Sequence, residues 1–238
     1  MKYLFLDTIL KANSEISIKD KEQINYIVNV LRFKKGQEVI VLDGEGVLTH
    51  AVIALAHKKE VLIETSKLEL HEMQSTPLNL YFGIPNKLPK LELMLKMGTE
   101  LGVSNFYPIH TEYSQVTSLG KKDRLNQIIK SAASQSESKF LPVLHEPQNL
   151  KDLDPSQKYI ACLCRSEQTQ LLTDLSLDID QSTNILLGPE GGFSEADKKI
   201  ILDDLKAQAV SLGNKILRLE TAGLLALGIC SLKKIANQ

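Results

Sequence analysis

The chain contains little cysteine and no recognisable metal-binding spacing. Its three cysteines are Cys162, Cys164 and Cys230, with no Cys-x-x-Cys pair, and its five histidines are scattered. An odd and sparse set of cysteines is not a disulfide framework and is typical of a reducing compartment. We therefore expect a cytoplasmic protein without a metal site.

Long hydrophobic runs and excess charge are also missing. No apolar run reaches the roughly 20 residues that a membrane span needs, and the first residues turn polar without a cleavage site. We therefore expect no membrane segment and no signal peptide. The formal net charge is −1, which provides no overall attraction to nucleic acid, so any RNA binding has to depend on local basic patches.

Residues 1–72 predict a small, mostly β domain. β-Branched residues and glycine-containing turns mark its strands. One helix, about Lys21–Phe33, interrupts them, and Asp20 followed by Gln23 resembles a capping box at its start. Short strands around one helix predict a small barrel; the candidate strands are Tyr3–Leu6, Glu38–Leu42, Val47–Leu55 and Glu60–Ser66.

Residues 73–238 predict a second domain, of the α/β class with a mainly parallel sheet. From Leu78 onward strands alternate with helices, which favours parallel pairing. The last helix, about Thr221–Ile235, is apolar on nearly every side, so something must cover it, and a partner subunit is one candidate. The other candidates are the strands Leu78–Ile84, Asn105–Ile109, Lys158–Cys164, Asn184–Leu187 and Ala209–Leu212, and helices over Pro89–Leu101 and Asp123–Ser136 and from Ser194.

A glycine-rich loop follows the predicted strand that ends at Leu187. It reads Gly-Pro-Glu-Gly-Gly-Phe-Ser over residues 188–194. Paired glycines let a backbone approach a ligand closely, and the helix from Ser194 would present free N–H groups to a polar partner. The alternative is an ordinary strand–turn–helix connection in which Ser194 and Asp197 form a capping box. The sequence is neither a phosphate P-loop nor the GxGxxG fingerprint.

A second polar loop follows the predicted strand that ends at Leu212. It places Arg218, Glu220 and Thr221 directly before the apolar last helix. In α/β proteins this position lies at the carboxyl edge of the sheet, where ligands bind. The alternative is that Arg218 and Glu220 form a structural pair and Thr221 caps the helix.

These two segments resemble a known family. Leu-Leu-Gly-Pro-Glu-Gly-Gly-Phe-Ser and Leu-Gly-Asn-Lys-Ile-Leu-Arg-Leu-Glu-Thr-Ala together resemble the signature of SPOUT-class methyltransferases. The closest resemblance is to the bacterial 16S rRNA uracil-N3 methyltransferases. Weaker matches extend it over nearly the whole chain: Glu-Leu-Gly-Val at 100–103, Ala-Ala-Ser-Gln-Ser at 132–136, Val-Leu-Arg at 30–32 and Asp-Gly-Glu-Gly at 43–46.

The resemblance implies a fold and a cofactor. It implies an α/β-knot (SPOUT) domain with a deep C-terminal trefoil knot, preceded by a PUA-like β-barrel that binds RNA. It implies a homodimer through the C-terminal domain, and S-adenosylmethionine as the cofactor. The residues implied to hold that cofactor are Leu187, Gly188, Pro189, Glu190, Gly191, Gly192, Leu212, Gly213, Ile216, Leu217, Leu219, Thr221 and Ala222.

The implied activity is methylation of N3 of a specific uridine in the 16S rRNA of the small ribosomal subunit. Because N3 must lose a proton before it attacks, Arg218 could stabilise the negative charge on the base, with Glu220 and Thr221 orienting Arg218 or the base. No residue is an obvious general base. The candidate RNA-binding cations are Arg32, Lys34, Lys35, Lys87, Lys90 and Arg124.

Two other functions stay open from the sequence. One is a SPOUT-class enzyme that methylates another base or a ribose 2′-hydroxyl. The other is a non-catalytic RNA-binding protein of ribosome assembly. The family's glutamate in the 132–136 element is Ser134 here, and Tyr113 stands where an arginine is common. These departures remove basic residues from the surface expected to face RNA more than they change the cofactor loops.

Overall fold

The computed structural model describes residues 2–73, 76–163, 169–178 and 180–236. The chain divides into two compact units. The first contains Met1–Met73 together with Ala133–Leu141, and the second contains Gln74–Ala132 and Pro142–Gln238. Within the described ranges, no helix is both long enough and apolar enough to cross a membrane.

The first unit is built on a five-stranded sheet in the order β1-β3-β4-β5-β2. Strands β1 and β3 are parallel, and the other pairs are antiparallel. Alternate residues of the strands face one core, in which Val39, Val41, Ile53, Val61 and Ile63 are fully buried. The strands are β1 Lys2–Phe5, β2 Glu15–Ile18, β3 Glu38–Leu42, β4 Val47–His57 and β5 Glu60–Leu70; the sequence did not predict β2.

The helix of the first unit is shorter than the sequence predicts. Helix α1 spans Lys21–Asn25 and continues as a π-helical turn over Tyr26–Val30. The side chain of Asp20 accepts the N–H of Gln23 at 2.9 Å, which confirms the predicted N-cap. The prediction that the helix continues to Phe33 is wrong, because Arg32 adopts a left-handed conformation with φ +55 and ends it.

The segment Ala133–Leu141 completes the first unit, which the sequence did not indicate. Phe140 forms an antiparallel bridge with Glu45, and the N–H of Leu141 donates to the carbonyl oxygen of Gly44 at 2.9 Å. Ala133 is fully buried and packs in a cluster with Phe5, Leu42 and Leu48. The sharp turn into this segment follows from Glu137, with φ +57, and from the bond of the Ser138 N–H to the Ala133 carbonyl oxygen at 2.9 Å.

The second unit confirms the predicted parallel α/β sheet. Its strands follow the order β11-β13-β10-β12-β6-β7-β8, with β9 also pairing with β7, and every pair is parallel. Cys164, in the predicted strand Lys158–Cys164, lies outside the described residues. The strands are β6 Leu78–Gly83, β7 Asn105–His110, β8 Val143–Leu144, β9 Gln148–Asn149, β10 Tyr159–Cys162, β11 Gln170–Leu171, β12 Thr183–Leu187 and β13 Gln208–Ser211.

A chain of amide hydrogen bonds crosses the amino end of this sheet. Asn105 donates to Asn79 at 2.9 Å, and Asn79 donates to Asn184 at 2.8 Å. Asn184 in turn donates to the carbonyl oxygen of Lys158 at 2.8 Å. Asn79 and Asn184 are buried, and each finds the partner that a buried amide requires. The row therefore holds β7, β6 and β12 in one register, next to the start of β10.

The last helix covers the sheet with one face and leaves an apolar face exposed. Gly223, Ala226, Leu227 and Cys230 of α5 are buried. The sequence predicts that something must cover this apolar helix, and the single chain does not cover all of it, since the helix also carries exposed Leu224, Leu225, Leu232 and Ile235. The helices of the second unit are α2 Leu88–Glu100, α3 Lys122–Gln135 (which ends in the first unit), α4 Glu195–Lys199 with a π-helical continuation over Ile200–Asp204, and α5 Leu219–Ala236.

We expect Gly46→Ala to destabilise the protein more than Gly36→Ala. Both glycines have positive φ, +105 and +82, so any Cβ costs about 1–2 kcal/mol of backbone strain. A Cβ on Gly36 would meet open space, whereas a Cβ on Gly46 would collide with the carbonyl oxygen of His71 and the Phe140 ring. The loss for Gly46→Ala should reach about 3–4 kcal/mol, because overpacking adds to strain.

The free energy of unfolding is measured by urea denaturation, with circular dichroism as the signal. Equal losses in the two variants would contradict the packing of Phe140 against this turn.

Candidate active site

A cleft of about 520 Å³ lies at the carboxyl ends of β10, β12 and β13. These strands are neighbours in the parallel sheet, and carboxyl edges are where α/β folds bind ligands. Thr221, predicted to bind the cofactor, does not line the cleft. The other predicted cofactor-binding residues all do: Leu187, Gly188, Pro189, Glu190, Gly191, Gly192, Leu212, Gly213, Ile216, Leu217, Leu219 and Ala222.

The first wall of the cleft is the loop after β12. The N–H of Gly192, which has φ +75, donates to the carbonyl oxygen of Pro189 at 2.8 Å and closes a tight turn. The loop lies directly against the end of β6, because a Cβ on Gly83 would collide with the Pro189 nitrogen and come within 2.6 Å of its Cδ. A glycine at position 83 therefore allows the loop to approach the sheet.

The helix that follows this loop is capped internally. The Ser194 side chain accepts the N–H of Asp197 at 3.0 Å, and Asp197 accepts the N–H of Ser194 at 3.0 Å. This confirms the predicted capping box. Asp197, which is 5% exposed, also accepts the N–H of Glu112 at 3.3 Å. The sequence predicts free N–H groups at this helix start. The N–H groups of Ser194 and Asp197 are instead hydrogen-bonded within the capping box, so that prediction is wrong for these two residues.

Glu190 points from the same loop to the start of α2. Its carboxylate accepts a 2.9 Å bond from Lys90 Nζ and the N–H of Asn86 at 3.3 Å. Partial burial raises the pKa of this carboxyl group, but the bonds from Lys90 and the backbone N–H groups outweigh burial and hold the pKa below its usual range. Glu190 is therefore an anion at neutral pH.

The second wall is the loop between β13 and α5. Ser211 Oγ exchanges 3.2 Å bonds with the N–H and carbonyl oxygen of Gly213, whose φ is +115. Helix α5 begins at Leu219, two residues before the predicted start, and the N–H of Ala222 donates to the carbonyl oxygen of Arg218 at 2.8 Å. Arg218 is thus the residue that precedes the helix, and the alternative in which Thr221 is the cap is wrong.

Of the three residues predicted to be catalytic, only Arg218 lines the cleft. Arg218 is exposed, while Glu220 and Thr221 belong to the first turn of α5. Glu220 Oε2 is buried and has no hydrogen-bond partner among the described residues. Arg218 and Glu220 form no ion pair within the described ranges, so the alternative of a structural pair between them is not supported.

Sequence reasoning missed several residues that line the cleft. Cys162 and Leu163 come from the end of β10, and Lys198 and Lys215 add cations. Lys198 is bonded to Glu195 at 2.6 Å. The sequence does not reveal which strands are neighbours in the sheet. It therefore could not show that β10 lies between β12 and β13, which brings Cys162 and Leu163 to the cleft.

The predicted RNA-binding cations fall into two groups. Arg32, Lys34 and Lys35 lie in the first unit and are exposed, and Lys87 is exposed directly before α2. Lys90 and Arg124 are already engaged, Lys90 with Glu190 at 2.9 Å and Arg124 with Glu92 at 2.6 Å.

Comparison with known proteins identifies both parts of the chain. A family model of an RNA methyltransferase domain matches residues 72–231, and one of an RNA methyltransferase PUA domain matches residues 18–66. The chain is 34% identical over 217 residues to the ribosomal RNA small subunit methyltransferase E of Synechocystis sp., covering 86% of this chain and 69% of that protein. It is 25% identical to the protein of the same name from Rickettsia conorii, covering 95% and 94%.

A solved structure has the same fold. The ribosomal RNA small subunit methyltransferase E from Neisseria gonorrhoeae, determined bound to S-adenosylmethionine, superimposes with a TM-score of 0.84. The match covers 99% of this chain and 98% of the Neisseria chain, at 24% sequence identity.

We expect Cys162 and Cys230 to differ sharply in reactivity at pH 8. Burial raises the pKa of the Cys230 thiol to about 12, and its side chain is fully buried, so it should stay protonated and unmodified. Cys162 is half-buried and lines the cleft, so it should react. The measurement is alkylation with iodoacetamide, with the modified residues mapped by mass spectrometry; rapid modification of Cys230 in the folded protein would contradict its position.

Proposed function

The chain belongs to the RNA methyltransferase family, and we propose on that basis that it methylates N3 of a uridine in 16S rRNA, using S-adenosylmethionine. Residues 1–72 would bind RNA, and residues 73–238 would form the methyltransferase domain. We include in the proposal the C-terminal trefoil knot, the homodimer and the cytoplasmic location. The observation that carries it is the glycine-lined cleft between the two loops.

The cleft fits a ligand of this kind. Its volume of about 520 Å³ lies within the range of roughly 300–1,000 Å³ that is usual for small-molecule sites. Glycine at position 188 lets the loop fold closely on itself, since a Cβ there would come within 3.0 Å of the Gly192 carbonyl carbon. At Gly192 and Gly213, by contrast, a Cβ would meet nothing within 4 Å, so the backbone there borders open space.

The two loops would hold the cofactor by backbone groups. Leu187–Gly192 form one wall, and Leu212, Gly213 and Ile216–Leu219 form the other. S-adenosylmethionine supplies an electrophilic methyl group on a sulfonium centre. The chain's task is then to hold the base close to that position and to favour its deprotonated form.

Arg218 is the residue best placed to favour the uridine anion. It lines the cleft, its side chain is exposed, and within the described part of the chain it makes no ion pair. Its charge would stabilise the negative charge that develops on the uracil oxygens as N3 loses its proton. Glu220 and Thr221 lie outside the cleft lining, and Glu220 forms no ion pair with Arg218 among the described residues, so we assign the stabilisation of charge to Arg218 alone.

RNA binding would use exposed cations of both units. Arg32, Lys34 and Lys35 lie close together in sequence in the first unit, where a family model of an RNA methyltransferase PUA domain matches residues 18–66. Such cations contact phosphates and set position rather than sequence. Lys87 and Lys215 would supply charge near the cleft, since Lys215 lines it and Lys87 precedes α2.

The exposed face of α5 supports the proposed homodimer. Leu232 and Ile235 are 69% and 64% exposed, and Leu224 and Leu225 continue the apolar face. Contiguous exposed apolar surface of this kind is typical of a subunit interface. A symmetric dimer would bring the same face of a second copy against it.

We expect Arg218→Ala to abolish methylation while the affinity for S-adenosylmethionine changes little. The reason is that the loop backbones hold the cofactor, whereas the guanidinium acts on the base. Cofactor affinity is measured by calorimetry, and the product by mass spectrometry of nucleosides from 16S rRNA treated with the protein. Lys151→Ala, which removes an exposed cation away from the cleft, is the matched control.

The outcomes separate the competing functions. 3-Methyluridine that appears with the native chain and not with Arg218→Ala supports the proposal. If another methylated nucleoside appears instead, the target is a different base or a ribose 2′-hydroxyl. A folded native chain that binds no S-adenosylmethionine would favour the non-catalytic function. Gly191→Val tests the site itself: the Cβ of the new side chain would lie 3.2 Å from the Tyr113 Cβ and press on that residue, and the variant should lose cofactor binding.

We expect Leu232→Glu to convert a dimer into a monomer. The variant places a charge on the exposed face of α5 without disturbing the buried face. Size-exclusion chromatography with light scattering measures the mass. Ile9→Glu, which changes an 85% exposed side chain of the first unit, is the control and should leave the mass unchanged; a native chain that is monomeric throughout would refute the dimer.

A further inference from the structure

Helix α2 has Pro89 in its first turn but starts without a capping side chain or an acidic residue. The preceding residue, Lys87, makes no side-chain capping bond, and the first turn contains no acidic residue. The third position of the helix, where a capping box has Glu or Gln, is Lys90. A cation there opposes the positive end of the helix dipole, so α2 needs a negative charge from elsewhere in the chain.

Glu190 supplies that charge from the cleft loop, 100 residues along the chain. Its Oε1 accepts the bond from Lys90 Nζ at 2.9 Å and the N–H of Asn86 at 3.3 Å, and its Oε2 accepts the same N–H at 3.4 Å. The side chains of Lys90 and Glu190 are only 26% and 27% exposed. The pair is therefore better shielded from solvent than an ordinary surface ion pair.

The segment between β6 and α2 also contacts the cleft loop by packing. Pro189, next to Glu190, lies against Gly83 at the end of β6, and Asn86 follows three residues later. The turn closed by Gly192 and Pro189 begins at this contact. The loop is thus fixed to the β6–α2 connection at two successive residues, once by packing and once by charge.

We propose that Lys90 and Glu190 are positioning residues, whose ion pair fastens the loop 188–192 to the start of α2 and so shapes the cofactor cleft. This inference rests on the proposed function. It replaces two expectations from the sequence, since Lys90 acts through Glu190 and not on an RNA phosphate, and the Glu190 carboxylate serves α2 and not the cofactor. Both carboxylate oxygens already have partners in the protein.

The test compares Lys90→Met, Glu190→Gln and the double variant. Each single change removes one charged partner of a hydrogen bond and should weaken S-adenosylmethionine binding roughly tenfold. The double variant should be no weaker than the weaker single variant, because both changes remove the same interaction. Lys90→Arg should restore most of the affinity, and Lys96→Met, an exposed lysine on the same helix, should have no effect.

Hydrogen exchange provides a readout that does not need the cofactor. In the free protein, Lys90→Met should speed amide exchange in residues 86–93 and in the loop 188–193, whereas Lys96→Met should not. The dependence of 16S rRNA binding on salt should stay the same in Lys90→Met, because no phosphate contact is lost.

Two results would overturn the inference, and a third would separate it from the proposed function. Unchanged cofactor affinity and unchanged exchange in Lys90→Met would show that the pair positions nothing. A shallower salt dependence of rRNA binding would make Lys90 a phosphate contact. If the folded native chain binds no S-adenosylmethionine, the proposed function fails, and the pair is then judged by exchange alone, with faster exchange at 188–193 supporting it and unchanged exchange refuting it.

Discussion

The parallel pairing of β12 between β10 and β6 is the constraint on which the rest of the second unit depends. Parallel strands end at the same edge, so this pairing brings the loops after β10, β12 and β13 together. The amide bonds from Asn105 through Asn79 to Asn184 reinforce it at the opposite edge. A slip of one residue would leave the buried amides of Asn79 and Asn184 without partners.

Local features of the fold could be predicted from the sequence, whereas distant contacts could not. The caps at Asp20 and Ser194 involve residues three apart in the chain, and the sequence predicted both. The addition of Ala133–Leu141 to the first unit depends on its fit to the turn around Gly44. No local pattern announces such a contact, because it joins segments that are far apart along the chain.

In the candidate site, too, local features could be predicted from the sequence and distant contacts could not. The loops 188–192 and 212–218 were recognisable from glycine spacing, and they line one cleft. The role of individual side chains was harder to foresee. Lys90 reads as an exposed cation near a helix start, but its partner Glu190 is distant in sequence. Thr221 reads as a cap, yet α5 begins before it with Arg218 in the preceding position, since an apolar helix can be held by packing rather than by its cap.

Glu220 is the remaining polar group of the site whose environment needs an explanation. Its Oε2 is buried without a hydrogen-bond partner among the described residues, and an unpaired buried carboxylate oxygen is costly. Its place in the first turn of α5 reduces that cost, because the positive end of the helix dipole favours an anion there. This carboxylate follows Arg218 by two residues but does not line the cleft. The helix dipole, rather than a ligand in the cleft, is therefore what offsets the burial of this oxygen in the free chain.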